Sequence, residues 1–299
     1  MLKFGNTFVN FGGTYLTGFK YNPNPFNLPD YTIRVKYRSG VTPSWVYSKT
    51  LVDANENIWD LTKTYDRTYW AYALDDENDL LEVLGGNTSG IKNMNGMFAG
   101  STALSSVNLT DLSQASLMYM TFSNCKSLEK VTLRNTKNVT NMEGLFGACS
   151  SLKDAPELIT NNVTNMKNMF QACTNLSSVP LYNTNKVTTM ESMFDVCVNL
   201  SSIPCYDTTN VTSMKNMMNT CQALTSIPLF NTNKVQNMNN AFGFCYRVQT
   251  GALDLYNQAS TQTTPPSSHN GTFQACGSMT TQGAAELAQI PTSWGGTMS

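Results

Sequence analysis

Apolar side chains return along this chain on a fixed beat. A methionine stands at Met94, Met118, Met142, Met166, Met190, Met214 and Met238, followed four residues later by Phe98, Phe122, Phe146, Phe170, Phe194, Met218 or Phe242. Three residues further on come Cys125, Cys149, Cys173, Cys197, Cys221 and Cys245, with Ser101 holding that place in the first unit. Each step (149 − 125, 173 − 149) is 24 residues, and none slips between about Ile91 and Val248. A constant period without insertions predicts a solenoid, in which each unit is one winding stacked on its neighbours.

Within a unit the polar and apolar positions divide into two segments. Val139, Met142, Leu145, Phe146 and Cys149 fall at i, i+3, i+6, i+7 and i+10, which predicts a short helix with one apolar face. Thr140 with Glu143, and Thr188 with Glu191, have the S/T-x-x-E spacing of a capping box. The second segment is Leu128-x-x-Val131-x-Leu133, repeated at Leu104/Val107/Leu109, Leu176/Val179/Leu181 and Leu224/Ile227/Leu229. This is the frame of a leucine-rich-repeat strand, with its leucines directed inward. Glu157 and Cys205 interrupt it at the last leucine position. Thr136, Thr160, Thr184, Thr208 and Thr232 occupy the place such repeats often give to Asn, where stacked hydroxyls would satisfy turn backbone.

The flanks complete the expected architecture: an α/β leucine-rich-repeat solenoid of 24-residue coils, a parallel strand plus a short helix per coil. Residues 1–29 read as a strand or arm followed by a Pro-rich linker. Residues 30–65 form a small N-terminal β module, with strands at Tyr31–Tyr37, Trp45–Lys49 and Ile58–Leu61. Subtracting the period from Met94 and Phe98 lands on Trp70 and Leu74, so 66–90 is an atypical N-terminal capping coil. The regular repeats span 91–250. In 251–299 we expect a helical C-terminal cap, with helices from Gly251 and from Gly283 to Ile290 and Trp294 as a cover over the open end.

Composition narrows the functional classes. Charged residues are 13% of the 299 and the net charge is −1, without a basic run, so nucleic acid is not an expected partner. No apolar run reaches the roughly 20 residues that span a bilayer, and the N-terminal decapeptide alternates in place of a basic and then apolar leader, so no secretory address and no membrane insertion are expected. Six of the eight cysteines share one apolar position and are expected as reduced, buried thiols. No Cys or His spacing suits zinc, and neither a metal nor a cofactor is expected.

Units such as Asn138-Val-Thr-Asn-Met-Glu-Gly-Leu-Phe-Gly-Ala-Cys-Ser-Ser-Leu resemble the N-V-T-x-M-x-x-M-F-x-x-C-x-x-L repeats of BspA-like leucine-rich-repeat surface proteins. The likeness covers roughly residues 80–250. The flanking Leu2-Lys-Phe-Gly-Asn, Leu80-Leu-Glu-Val-Leu-Gly-Gly-Asn-Thr and Ala285-Glu-Leu-Ala-Gln-Ile-Pro look like a subgroup encoded by gut (Bacteroides) bacteriophages and prophages. The resemblance implies a non-enzymatic recognition or adhesion protein on a virion surface, bound to a host cell-surface protein or glycan. Other virion proteins would be held through the N-terminal region, and homo-oligomers are open. A decorating virion subunit and a bacterial cell-surface adhesin are the alternatives.

If the repeat frame is a strand, three columns of intervening residues face outward. The candidate binding face takes Lys130 and Asp154 from the first column. From the third it takes Arg134, Leu158, Tyr182, Tyr206 and Phe230. Rings at coil spacing suit stacking on sugars or anchoring a protein; alternatively they stack on one another to stabilise the sheet. His269, the single histidine, has no acid near it in sequence, so a triad is not expected. Asp75, Asp76, Glu77 and Asp79 form an acidic turn of the type that binds Ca²⁺ or simply solvates. No catalytic group is expected.

Overall fold

The computed structural model describes residues 28–43, 48–63, 70, 72–74 and 77–298. The expected arm and all but the last two residues of the Pro-rich linker lie outside these, as does the start of the strand expected from Trp45. Four strands open the described chain: β1 (Thr32–Tyr37), β2 (Ser48–Asp53), β3 (Ile58–Thr62) and β4 (Leu80–Asn87). In β1, Ile33, Val35 and Tyr37 are buried. The alternate Arg34 makes a two-pronged ion pair with Asp60 of β3, at 2.7 and 2.8 Å.

β5 (Ser106–Leu109) and β6 (Lys130–Leu133) belong to the first regular coils. All six strands form one sheet in the order β2-β3-β1-β4-β5-β6. β1 runs antiparallel to both β3 and β4, whereas β4, β5 and β6 are parallel. Strands on both sides of residue 65 therefore share a sheet, and the solenoid starts on β1 as its first neighbour.

The expected helix in each coil is not formed: residues 91–250 contain no α-helix. In the coil from Met142, alternate amides close local turns, Leu145 N–H to the Met142 carbonyl, Gly147 to Gly144 and Cys149 to Phe146. The amides between them cross to the next coil, Met142 N–H to the Asn165 carbonyl (3.0 Å), Gly144 to Lys167 (2.8 Å), Phe146 to Met169 (2.9 Å) and Ala148 to Gln171 (2.6 Å). An α-helix uses all but its first few N–H groups within itself. Here half of them tie one winding to the next.

The geometry requires two left-handed residues per coil, four apart, such as Gly144 (φ 62°) and Ala148 (φ 60°). Asn168, Asn216 and Asn240 suit that conformation, but Val196 (φ 63°) and Thr220 (φ 63°) are β-branched residues held in it. The capping boxes also fail to form. Asn141 Oδ1 takes the Glu143 N–H, while the Thr140 hydroxyl donates to the Ser116 carbonyl of the preceding coil.

The Met, Phe and Cys columns are core, as their periodicity requires. Phe98, Phe122, Phe146, Phe170 and Phe194 stack face to face at 5.3–5.8 Å. Burying each ring contributes about 1.5–3 kcal/mol. Each thiol from Cys125 to Cys245 in that column donates to a carbonyl of the coil before it, as in Cys149 to Phe122 (3.1 Å) and Cys197 to Phe170 (3.1 Å); Ser101 does the same to Leu74. The buried Thr160, Thr184 and Thr208 hydroxyls each donate, at 2.8 Å, to a carbonyl of the following coil.

At the C-terminal end, α1 (Ala252–Thr261) and α2 (Thr281–Leu287) are the two α-helices of the described residues. Gly251 (φ 98°) admits the chain to α1: a Cβ there would sit 2.1 Å from the Ile227 carbonyl oxygen. Between the helices, 268–276 forms one more winding, with Met238 N–H donating to Ser268 and Phe242 to Thr272. Trp294 lies buried beside it, stacked on His269 at 4.2 Å and edge-on to Tyr256 at 5.5 Å.

Candidate interaction surface

The structure divides the candidate strand face. Lys130, Arg134 and Asp154 are exposed, and Asp154 accepts from the Ser178 hydroxyl at 2.6 Å. Leu158 is half-buried against the core. Tyr182, Tyr206 and Phe230 are not on the surface at all: their exposures are 3%, 2% and 0%. Tyr182 stacks between Phe170 (6.4 Å) and Tyr206 (6.3 Å), Tyr206 on Phe194 (6.4 Å) and Phe230 on Phe242 (6.4 Å). The rings stack on one another and on the phenylalanine column, inside the coil.

Proline explains the inversion. In β6 the ladder is intact, Leu133 faces in and Arg134 faces out. From residue 156 onward the frame carries Pro156, Pro180, Pro204 and Pro228, which have no N–H for a ladder. Regular strand gives way to isolated bridges such as Asp154 with Ser178 and Ser226 with Thr250. Released from strand alternation, the residue after the proline turns outward and the next one turns in.

Tyrosine suits that inner place. Its buried hydroxyl needs an acceptor, and the proline carbonyl of the coil before provides one: Tyr182 Oη donates to Pro156 (2.8 Å) and Tyr206 Oη to Pro180 (3.0 Å). Burial pushes both phenols well above the ordinary value.

The outward column is therefore Glu157, Leu181, Cys205 and Leu229. Leu181 is 70% exposed and Leu229 55%, with Cys205 exposed between them. Ile159 adds apolar surface near one end, and Ser178, Ser202 and Ser226 are exposed alongside. An open cleft of about 400 Å³ is lined by Leu181, Tyr182, Asn183, Thr184, Asn185, Cys205 and Asp207. Hydrogen bonds from the hydroxyl and amide of Thr209 hold the Asp207 carboxyl below its usual range, so it stays negative. Sequence reading missed this column because the frame assigned it inward; the recurring proline, and the polar Glu157 and Cys205 at the same position, were the available signal.

Among the described residues, the other candidate groups lie away from this surface. His269 lies against Trp294 with Nδ1 3.2 Å from the Ser293 carbonyl. Of the acidic turn, Asp75 and Asp76 fall outside the described residues, and Asp79 faces Arg38 at 3.3 Å on exposed surface. The core thiols are pushed up by burial, Cys125, Cys173 and Cys245 to about 12, which leaves them protonated and poor nucleophiles. A second shallow cleft, about 320 Å³, lies between Val198, Asn199, Gln222, Ala223, Tyr246, Arg247 and Met279. Among the described residues no helix is long and apolar enough to cross a membrane.

A family model described as "Mycoplasma protein of unknown function, DUF285" matches residues 71–179 and again 164–275. The chain belongs to that family. The two DUF285 matches together cover residues 71–275: most of the atypical first coil, the regular repeats and all but the last residue of the extra winding. No curated protein matches the chain.

Several solved structures are similar to it in part. A leucine-rich repeat protein from Eubacterium ventriosum is 21% identical with a TM-score of 0.38, covering 52% of this chain and 39% of that one. The TLR13–ssRNA13 complex is 18% identical (TM-score 0.26; 69% of this chain, 33% of that one). The plant peptide hormone receptor RGFR1 in complex with RGF2 is 12% identical (TM-score 0.22; 55% and 36%). The chain thus spans 33–39% of the length of these structures.

Proposed function

We propose that this DUF285 chain is a non-enzymatic recognition protein that takes a protein partner along Leu181, Cys205 and Leu229. The carrying observation is two leucines of the repeat frame exposed at 70% and 55% on one column. An apolar strip rimmed by small polar groups is the composition of a protein contact, with the leucines as anchors and the serines as rim. A sugar-stacking face loses its support, because the rings assigned to it are buried. The partner we favour is a host cell-surface protein and the bearer a phage particle; both rest on the resemblance of repeats and flanks.

The test is binding of purified protein to host cells by the unaltered chain and by a Leu181→Asp/Leu229→Asp variant. Loss of binding with an unchanged melting temperature is the expected result. Undiminished binding by the variant, or no binding by the unaltered chain at micromolar concentration, overturns the reading.

A further inference from the structure

A second surface, remote in sequence from the leucine strip, has a more specific partner written into it. Among the described residues β2 is the end strand of the sheet, paired on one side only, with β3. Ser48 to Val52 are all exposed, with Leu51 at 45% and Val52 at 43%, so neither face of the strand is covered. A free edge leaves a row of backbone N–H and C=O groups open to pairing with another strand. The register with β3 also passes over Val52, leaving that residue unmatched on the paired side.

The side chains of this edge are self-complementary. Read about Leu51, the run is Lys49, Thr50, Leu51, Val52, Asp53. An antiparallel copy of the same strand, related by a two-fold axis at Leu51, puts Lys49 opposite the second copy's Asp53. Thr50 then faces Val52, and the two Leu51 side chains face each other. The Lys49–Asp53 pair thus forms twice, once on either side of the axis. Centring the axis on Thr50 or Val52 puts neither charge opposite its counter-charge: Lys49 or Asp53 then faces Leu51 instead. Opposite charges and apolar pairs directly across antiparallel strands are the contacts that stabilise a sheet, and a two-fold contact of one patch with itself closes after two copies.

The existing bonds leave room for this. Lys49 Nζ donates once, to the Pro43 carbonyl at 2.6 Å, and an ammonium has three donors. Asp53 takes the N–H groups of Asn55 and Glu56 on Oδ1, leaving Oδ2 for the lysine. A lysine and a bulge ordinarily blunt an edge against indiscriminate pairing. Here the counter-charge stands at the mirror position, so the same devices admit one partner in one register.

We propose that two copies of this chain pair through β2, antiparallel about Leu51, to join their sheets. Six residues a side make a small contact, so the association is weak, with a Kd of about 10–100 µM. The experiment is sedimentation equilibrium of the full chain to several hundred micromolar in reducing buffer, with register mapped by cross-linking.

Dimerisation of the unaltered chain, weakened about tenfold or more by Lys49→Glu and restored in Lys49→Asp/Asp53→Lys, is expected. Since Asp53 also holds the following turn, register is tested separately in a Cys205→Ser background. There Leu51→Cys should cross-link readily on mild oxidation and Ser48→Cys should not. A monomer across the whole range overturns the proposal. So does a dimer indifferent to Lys49→Glu, or equal cross-linking from both positions.

Discussion

Two stretches of the same repeat treat the same column in opposite ways. In the coil of β6 the last frame leucine, Leu133, is buried and Arg134 after it is exposed. Two and three coils later Leu181 and Cys205 are exposed, and Tyr182 and Tyr206 after them are buried. The apolar content of the two stretches is similar; what separates them is Pro180 and Pro204 at the preceding residue. A strand enforces alternation because its ladder holds successive residues on opposite faces. Once a proline removes the ladder bond, the packing of the next ring decides which way the chain turns. The exposed strip is thus a consequence of a backbone change, not of added surface hydrophobicity.

The largest effect should come from a feature that both stretches share. The buried thiols keep their protons in the native state at pH values where the unfolded chain loses them. Their stabilising contribution is therefore complete below about pH 9 and falls as the pH climbs toward 12. Each such thiol contributes a loss of up to ~1.4 kcal/mol per pH unit across that window. Melting followed by circular dichroism from pH 8 to 11 should show a steep fall, and a flat profile would mean the thiols are not buried as described.

The next effects separate the stretches. Tyr206→Ala should cost about 3–5 kcal/mol, the range for an aromatic core truncation, whereas Arg134→Ala at the equivalent position should stay within about 0.5 kcal/mol. For the residue before, the order reverses: Leu133→Ala should cost about 2–4 kcal/mol and Leu181→Ala about 0.5 or less. Urea titrations of the four variants test both pairs, and equal costs within either pair would break the comparison. The smallest effect is a gain. Val196→Asn relieves a β-branched residue at φ 63° and should stabilise by about 1 kcal/mol, visible as a higher urea midpoint.

Much of this was legible in the residues themselves. β1 and β3 are local alternating runs, and α1 and α2 are marked by Gly251 and by Pro291. The core columns follow from the period alone. The winding conformation did not, because an α-helix and this run of turns place apolar residues at the same three- and four-residue spacings. The better clue was the Gly and Asn recurring at 96, 144, 168, 216 and 240, residues that tolerate a left-handed backbone. For the binding face, the aromatic column is legible in the sequence but its side is not, because strand alternation does not continue through prolines that end the strand.

By itself the sequence determined that the chain winds every 24 residues and which columns are buried, because apolar periodicity reports burial directly. The tertiary structure alone decided where the intervening amides go and which of two neighbouring residues faces water. Those choices depend on an acceptor in the neighbouring winding, 23 residues on for the amide of Met142 and 26 back for the hydroxyl of Tyr182, which exists only when one winding lies on the next.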